Sequence, residues 1–190
     1  MLINIGDKKS FCRLVDTVRN GGVAIIPCDT IYGIVGIAPD TEQRIRMIKG
    51  RGEESPFVRL IQSADWLPGI TNQKLPASLQ AYWPGPLTLI FTSREGGSVA
   101  LRVPKDNQLQ RLLKEIGQPL FSTSVNRSQE EALWRIKDII KQFEHKVDLI
   151  VSAGDIKAGK PSTILDITLR PFRLLRQGVL ELPDSYFPEK

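Results

Sequence analysis

The apolar positions of this chain recur in two rhythms, one helical and one of short runs. Phe11, Leu14, Val15 and Val18 fall at helical spacing, Ser10 stands where a cap belongs, and Asn20-Gly21-Gly22 supplies a stop. Residues 23–26 form an unbroken apolar run that ends at Pro27, the pattern of a short buried strand. Thr41 opens a second helix with Ile45 and Ile48 on one face, and residues 57–62 (FVRLIQ) read as strand. Ser63 and Pro76 open two short helices. Trp83-Pro84-Gly85-Pro86 is a rigid turn feeding the strand LTLIFT. Residues 98–104 alternate Val99, Leu101 and Val103 against Ala100 and Arg102, which predicts a half-exposed strand ending at proline. Asp106 caps a helix bearing Leu109, Leu112, Leu113 and Ile116, and PLFSTSV returns as strand. Ile136, Ile139, Ile140 and Phe143 are the stripe of a helix predicted over residues 130–143; VDLIVSAG, STILDIT and FRLLRQG follow as short strands and turns.

Strands and helices alternate irregularly, without internal repeat, linker or low-complexity segment. The pattern predicts one α/β domain over residues 1–190, with a twisted mixed parallel/antiparallel sheet flanked by helices. No GxGxxG follows the first strand, which argues against a doubly wound dinucleotide fold.

Charge narrows the partners. The formal net charge is +5, which favours anions such as nucleotides, phosphates or RNA. Only two cysteines are present, Cys12 and Cys28, and neither belongs to a CxxC or Cys/His pattern, so a structural zinc site is not expected. Both read as thiols of a reducing compartment. The start, MLINIGDKKSF, has no long apolar core or cleavage site, and no run approaches ~18 apolar residues. The expectation is a cytoplasmic protein with no membrane partner. His145 is the single histidine, which argues against Ser-His-Asp, Cys-His and His-rich metal chemistry. Trp66, Trp83 and Trp134 are scattered and read as packing residues.

Four stretches carry candidate chemistry, each with a plainer alternative. IIPCDTIYGIVG ends a strand by presenting Cys28, Asp29, Thr30 and Tyr32; the plainer reading is a βα turn with an Asx bond. KGRGEESPF places Lys49 and Arg51 one glycine apart, suited to phosphate or carboxylate, or else a basic helix end facing the macrodipole. STSVN gathers hydroxyls and Asn126 at a strand end, for a nucleotide or for capping the next helix. GKPSTILDIT sets Ser162 and Thr163 after a lysine, but it leads into a strand and lacks Walker A spacing.

The order of these motifs resembles a known family. Strand–P-x-D-T-x-Y-G, helix–K-x-R-x4-P, W-P-G-P-L-T, L-R-V-P, S-T-S-x-N, P-S-T-I-L-D and L-R-x-G follow one another from about Phe11 to Gly178. This series is similar to the YrdC/TsaC-type threonylcarbamoyl-AMP synthases in their short form. The resemblance implies a mixed sheet around a concave basic cavity. It implies a nucleotidyltransferase that makes threonylcarbamoyl-AMP and pyrophosphate from L-threonine, bicarbonate or CO2, and ATP with Mg2+. The product would feed the t6A37 modification of tRNA, with threonylcarbamoyl-transfer proteins and tRNA as further partners.

By the same resemblance Lys49, Arg51, Ser124 and Asn126 form the catalytic and nucleotide-binding set. Thr30 and Tyr32 line the threonine pocket, with Arg102 for its carboxylate, and Ser162 and Arg176 close the nucleotide side. No protein-held metal is implied. The chain departs from the pattern at Cys28, where the family commonly has Thr, and at Val125 and Gln129, where it usually has Ala and Gly. Glu53 and Glu54 stand where the family is often basic and are expected to face solvent. The extra C-terminal domain of longer relatives is not expected. Two alternatives remain: a non-catalytic or weakly catalytic double-stranded RNA- or tRNA-binding module of the same fold, and a carbamoyl-handling relative of hydrogenase-maturation proteins.

Overall fold

A computed structural model describes residues 1–28, 31–52, 56–157 and 159–186. Its strands are β1 (Leu2–Asn4), β2 (Ala24–Pro27), β3 (Tyr32–Ile37), β4 (Val58–Leu60), β5 (Leu87–Thr92), β6 (Ser98–Arg102), β7 (Leu120–Ser124), β8 (Leu149–Ser152), β9 (Thr163–Asp166) and β10 (Arg173–Arg176). Its α-helices are α1 (Ser10–Arg19), α2 (Glu42–Lys49), α3 (Asn107–Ile116) and α4 (Ile136–Phe143), with 3-10 turns at Ala64–Gly69 and Ala77–Tyr82. The strands form one mixed sheet in the order β1-β8-β2-β3-β7-β4-β6-β5-β9-β10. The expected α/β class with a mixed sheet flanked by helices is what the chain adopts.

Strand periodicity explains the layering. Alternate residues of β2 point to opposite faces, and both faces are apolar. Ala24 and Ile26 pack with Leu14, Val15 and Val18 of α1 and Leu109, Leu112 and Leu113 of α3. Val23 and Ile25 pack on the other face with Ile45 and Ile48 of α2 and Ile139 and Phe143 of α4. Farther along the sheet, Leu87, Leu89 and Phe91 of β5 bury themselves beneath the two 3-10 turns, together with Leu67, Leu79 and Trp83.

Several sequence expectations change. The stretch after Pro27 is a β-hairpin, not a βα turn: Pro27 pairs with Tyr32 and Ile25 with Ile34, antiparallel. Ser10 is the first helical residue, and its hydroxyl donates to the Ile5 carbonyl at 3.0 Å. Strand β6 is buried on both faces, not half-exposed: Val99, Leu101 and Val103 pack into the core and Ala100 and Arg102 are covered on the other face. The last helix begins at Ile136; ahead of it the Leu133 N–H is bonded to the Val125 carbonyl at 2.8 Å, outside any helix. Asp106 caps α3 as expected, accepting from Leu109 N–H at 2.8 Å. Among the described residues no helix is long and apolar enough to cross a membrane.

Candidate active site

Register brings the motif residues together. β3 pairs antiparallel with β7 so that Gly33 lies opposite Ser124, beside the turn of the β2–β3 hairpin. On the same stretch of sheet Val58 faces Ser122 of β7 and Ala100 of β6, and Leu60 faces Arg102. Alternate residues on these strands share a face. Ser122, Ser124, Val58, Leu60 and Arg102 therefore contribute to one wall, and Ser162, Ile164 and Arg176 close it from the sheet edge. The result is a hollow of about 210 Å3. A second hollow of about 350 Å3 adjoins it and shares Arg51, Thr123 and Ser124; Lys49 and Asn126 line this one.

Lys49 ends α2 and is buried. Its Nζ donates to the Ser124 carbonyl at 2.7 Å, and to the carbonyl and Oδ1 of Asn126, both at 2.9 Å. The ammonium has three donors, and three oxygens meet them. Burial, and then the charge of Arg51, lower its pKa to about 8. Ser124 Oγ donates to Asn126 Oδ1 at 2.5 Å, and Asn126 Nδ2 donates to the Arg127 and Glu130 carbonyls at 2.8 and 2.7 Å. These three residues thus form one internally bonded cluster that fixes the end of β7.

Arg51 follows the left-handed Gly50 that terminates α2. Its guanidinium carbon lies 4.9 Å from the centroid of the Phe57 ring, and that of Arg46 lies 5.0 Å from the same ring. Arg46 is paired with Glu42 at 2.6 Å. The Arg51 pKa is lowered by burial and then by Arg46. Such a cation, held partly out of water, gains when an anion arrives.

At the far wall Arg102 Nε donates to the Gly85 carbonyl at 2.9 Å. Arg176 donates from Nε to the Ser162 carbonyl at 3.0 Å and from Nη2 to Ser162 Oγ at 3.2 Å, and Ser162 Oγ also bonds Thr88 Oγ1 at 2.8 Å. The Arg176 pKa is lowered by burial and then by Arg102, so two guanidinium groups share this wall. Gly178 makes the close approach possible: a Cβ there would lie 2.2 Å from the Pro161 carbonyl oxygen.

Tyr32 also lines the hollow, with its hydroxyl held on the loop after β8: it donates to the Gly154 carbonyl at 2.8 Å and accepts from Ala153 N–H at 2.9 Å. Thr30, and with it Asp29, Glu53 and Glu54, lies outside the described residues. Val125 turns away from the site into the core beside Ile25 and Ile34. His145 is 91% exposed in its side chain. Trp83 is a packing residue whose Nε1 donates to the Leu87 carbonyl at 2.7 Å.

Arg51, Arg102 and Arg176 surround the smaller hollow, and no described residue lining it is a carboxylate. Among the described residues this lining has the chemistry that suits an anion. Among the described residues no cluster of three or more His, Cys, Asp or Glu is placed to hold a metal ion. A larger cavity of about 850 Å3 lies by Trp83, but its wall carries Asp65 beside Lys74 and Arg94 and lacks the converging arginines. Sequence motifs pointed to the cationic residues. Gly85 and Thr88 fall within the W-P-G-P-L-T motif, but nothing in it or at Phe57 indicates that they hold Arg102, Ser162 and Arg51 in place.

The sequence profile of the Sua5/YciO/YrdC family, described as telomere recombination, matches residues 16–178. The chain belongs to the Sua5/YciO/YrdC family. The threonylcarbamoyl-AMP synthase of Pyrococcus abyssi is 29% identical over 182 residues, covering 88% of this chain and 53% of the relative. A putative threonylcarbamoyl-AMP synthase of Methanocaldococcus jannaschii is 28% identical over 186 residues, covering 92% of this chain and 88% of the relative. The crystal structure of P. abyssi Sua5 complexed with L-threonine superposes with TM-score 0.83 at 25% identity, covering 94% of this chain and 57% of that one. The chain thus spans about half the length of the P. abyssi family member it matches.

Proposed function

We propose that this chain is an L-threonylcarbamoyladenylate synthase, a nucleotidyltransferase. The observation that carries the reading is the convergence of Arg51, Arg102 and Arg176 with Ser124 and Ser162 on one hollow that adjoins the Lys49–Asn126 cluster. Its support from relatives is the name borne by the P. abyssi protein and the L-threonine bound in P. abyssi Sua5.

The reaction crowds negative charge. The amine of L-threonine adds to CO2, supplied directly or from bicarbonate, and releases a proton to give a carbamate. A carbamate oxygen then attacks the α-phosphorus of ATP; the bond to the β-phosphate oxygen breaks and pyrophosphate leaves. The protein's part is positioning and charge neutralisation. Arg102 takes the threonine carboxylate, with Tyr32 walling the pocket and Thr30 assigned beside it. Arg51 stands where the two hollows meet and faces carbamate and phosphate together. Arg176 and Ser162 hold the nucleotide side. Lys49 keeps Ser124 and Asn126 in register and adds positive potential to the phosphate path. Magnesium would arrive on the triphosphate oxygens as part of the substrate complex. The product is a mixed anhydride, suited to carbamoyl transfer onto adenosine 37 of tRNA by partner proteins.

The test is incubation of the full chain with L-threonine, bicarbonate, Mg2+ and ATP, with products followed by mass spectrometry. Threonylcarbamoyl-AMP and an equal amount of pyrophosphate are expected, both dependent on threonine. Pyrophosphate release that ignores threonine, or no release at all, would overturn the reading.

A further inference from the structure

The turn after Asn126 holds a residue in a backbone conformation that side chains disfavour. Gln129 has φ 69°, and it is the one non-glycine residue with positive φ among those described. The Glu130 N–H donates to the Arg127 carbonyl at 3.1 Å, so Gln129 is the third residue of a tight turn, where glycine is the usual occupant. The turn is fixed to the site from two sides. Asn126 Nδ2 donates to both the Arg127 and Glu130 carbonyls, and Ser128 N–H donates to the Lys49 carbonyl at 2.8 Å. Residues held this way gather at ligand-binding positions.

Gln129 lines the hollow of about 350 Å3 beside Lys49, Arg51, Ser124 and Asn126. Three of those neighbours already spend their donors on protein oxygens: Lys49 on three, Asn126 on two, and the Ser124 hydroxyl on Asn126 Oδ1. The carboxamide of Gln129 extends the donor set of this wall beyond Arg51. On the adenylating reading, with the α-phosphorus beside the carbamate in the smaller hollow and the nucleoside held by Arg176 and Ser162, this adjoining hollow is where the outer phosphates would lie.

We infer that Gln129 is a further nucleotide-contacting residue, its carboxamide N–H donating to an outer phosphate oxygen of ATP. The inference rests on the adenylating reading for the identity of the ligand. A neutral donor to a charged oxygen is worth about tenfold in affinity.

The experiment is calorimetric titration of the full chain with ATP and, separately, with AMP, for wild type, Gln129→Ala and Gln129→Gly. The alanine variant keeps the disfavoured backbone and removes the amide; the glycine variant removes both. ATP affinity is expected to fall about tenfold in both variants with AMP affinity unchanged, while the melting temperature of Gln129→Gly rises by about 2–4 °C. ATP binding within twofold of wild type in both variants, or an equal loss for AMP, overturns the inference. Product formation by the wild type is measured alongside. ATP binding that depends on Gln129 without product keeps this inference and rejects the reaction. Product formation with ATP binding indifferent to Gln129 does the reverse, and a wild type that does not bind ATP overturns both.

Discussion

The guanidinium of Arg51 lies over the ring of Phe57, 4.9 Å from guanidinium carbon to centroid. Phe57 is buried and meets Phe121 edge-on, with centroids 5.7 Å apart, so the platform itself is fixed by the core. A cation–π contact of this kind contributes about 0.5–1 kcal/mol, and its chief effect here is to hold a long side chain in one orientation. Phe57→Leu keeps the apolar volume and removes the platform. ATP affinity is expected to fall about threefold, with Phe57→Tyr restoring it. Unchanged affinity in the leucine variant would reduce Phe57 to a packing residue.

Lys49 gives a pH dependence with a definite sign. Its folded pKa of about 8 lies below the usual 10.5. Above pH 8 the folded protein loses the ammonium, and with it positive potential on the phosphate path. ATP affinity measured without threonine is therefore expected to decline as pH rises from about 7.5 to 9, and to stay flat in Lys49→Arg. Stability moves the other way. Between about pH 8 and 10.5 the unfolded chain binds the proton that the folded chain has released, so stability rises with pH across that window. Below pH 8 both states are protonated and the cost of burying the charge is fully present. Denaturant titrations of wild type against Lys49→Met over pH 7–10.5 check this; a wild-type advantage that shrinks with pH contradicts it.

Gly178→Ala tests the closure of the far wall. The added Cβ would lie 2.2 Å from the Pro161 carbonyl oxygen and 2.4 Å from both the Ser162 carbonyl carbon and the Thr163 nitrogen, all of them backbone. Backbone has to shift, at about 3 kcal/mol, lowering the melting temperature by about 6–12 °C. Because Arg176 is anchored on Ser162, ATP affinity is expected to fall further than in Gly97→Ala, a substitution at a left-handed turn glycine with no neighbour within 4 Å. Thermal melts and calorimetry measure the two effects separately; a variant as stable as wild type would contradict the close approach.

What the sequence made legible, and what it hid, follows from range. Ordered motifs named Lys49, Arg51, Ser124, Asn126, Ser162 and Arg176, and the fold brings these groups to two adjoining hollows. The motifs were readable because charged and hydroxylic residues at strand and helix ends stand out against apolar runs. The supports were not: Phe57 reads as an ordinary core residue, and W-P-G-P-L-T reads as a turn with no sign that the Gly85 carbonyl would hold Arg102. β1 is not legible in the sequence because three residues carry no periodicity, and its partner β8 lies far along the chain. α4 begins later than its stripe suggests, because ahead of Ile136 the Leu133 N–H bonds the Val125 carbonyl just past β7. The turn after Pro27 reads as leading to a helix; the strand is set by Tyr32, Ile34 and Val35, buried on both faces of β3 between β2 and β7.

The central claim is that threonine and nucleotide meet on the wall formed by Arg51, Ser124, Arg102 and Arg176. A crystal of the full chain soaked with L-threonine and an ATP analogue blocked at the α–β bridge tests it most directly. The account predicts the threonine carboxylate beside Arg102, its amine within reach of the α-phosphate, and the phosphates running past Arg51 toward Asn126. Nucleotide density in the larger cavity by Trp83, with the arginine-lined hollow empty, would contradict it.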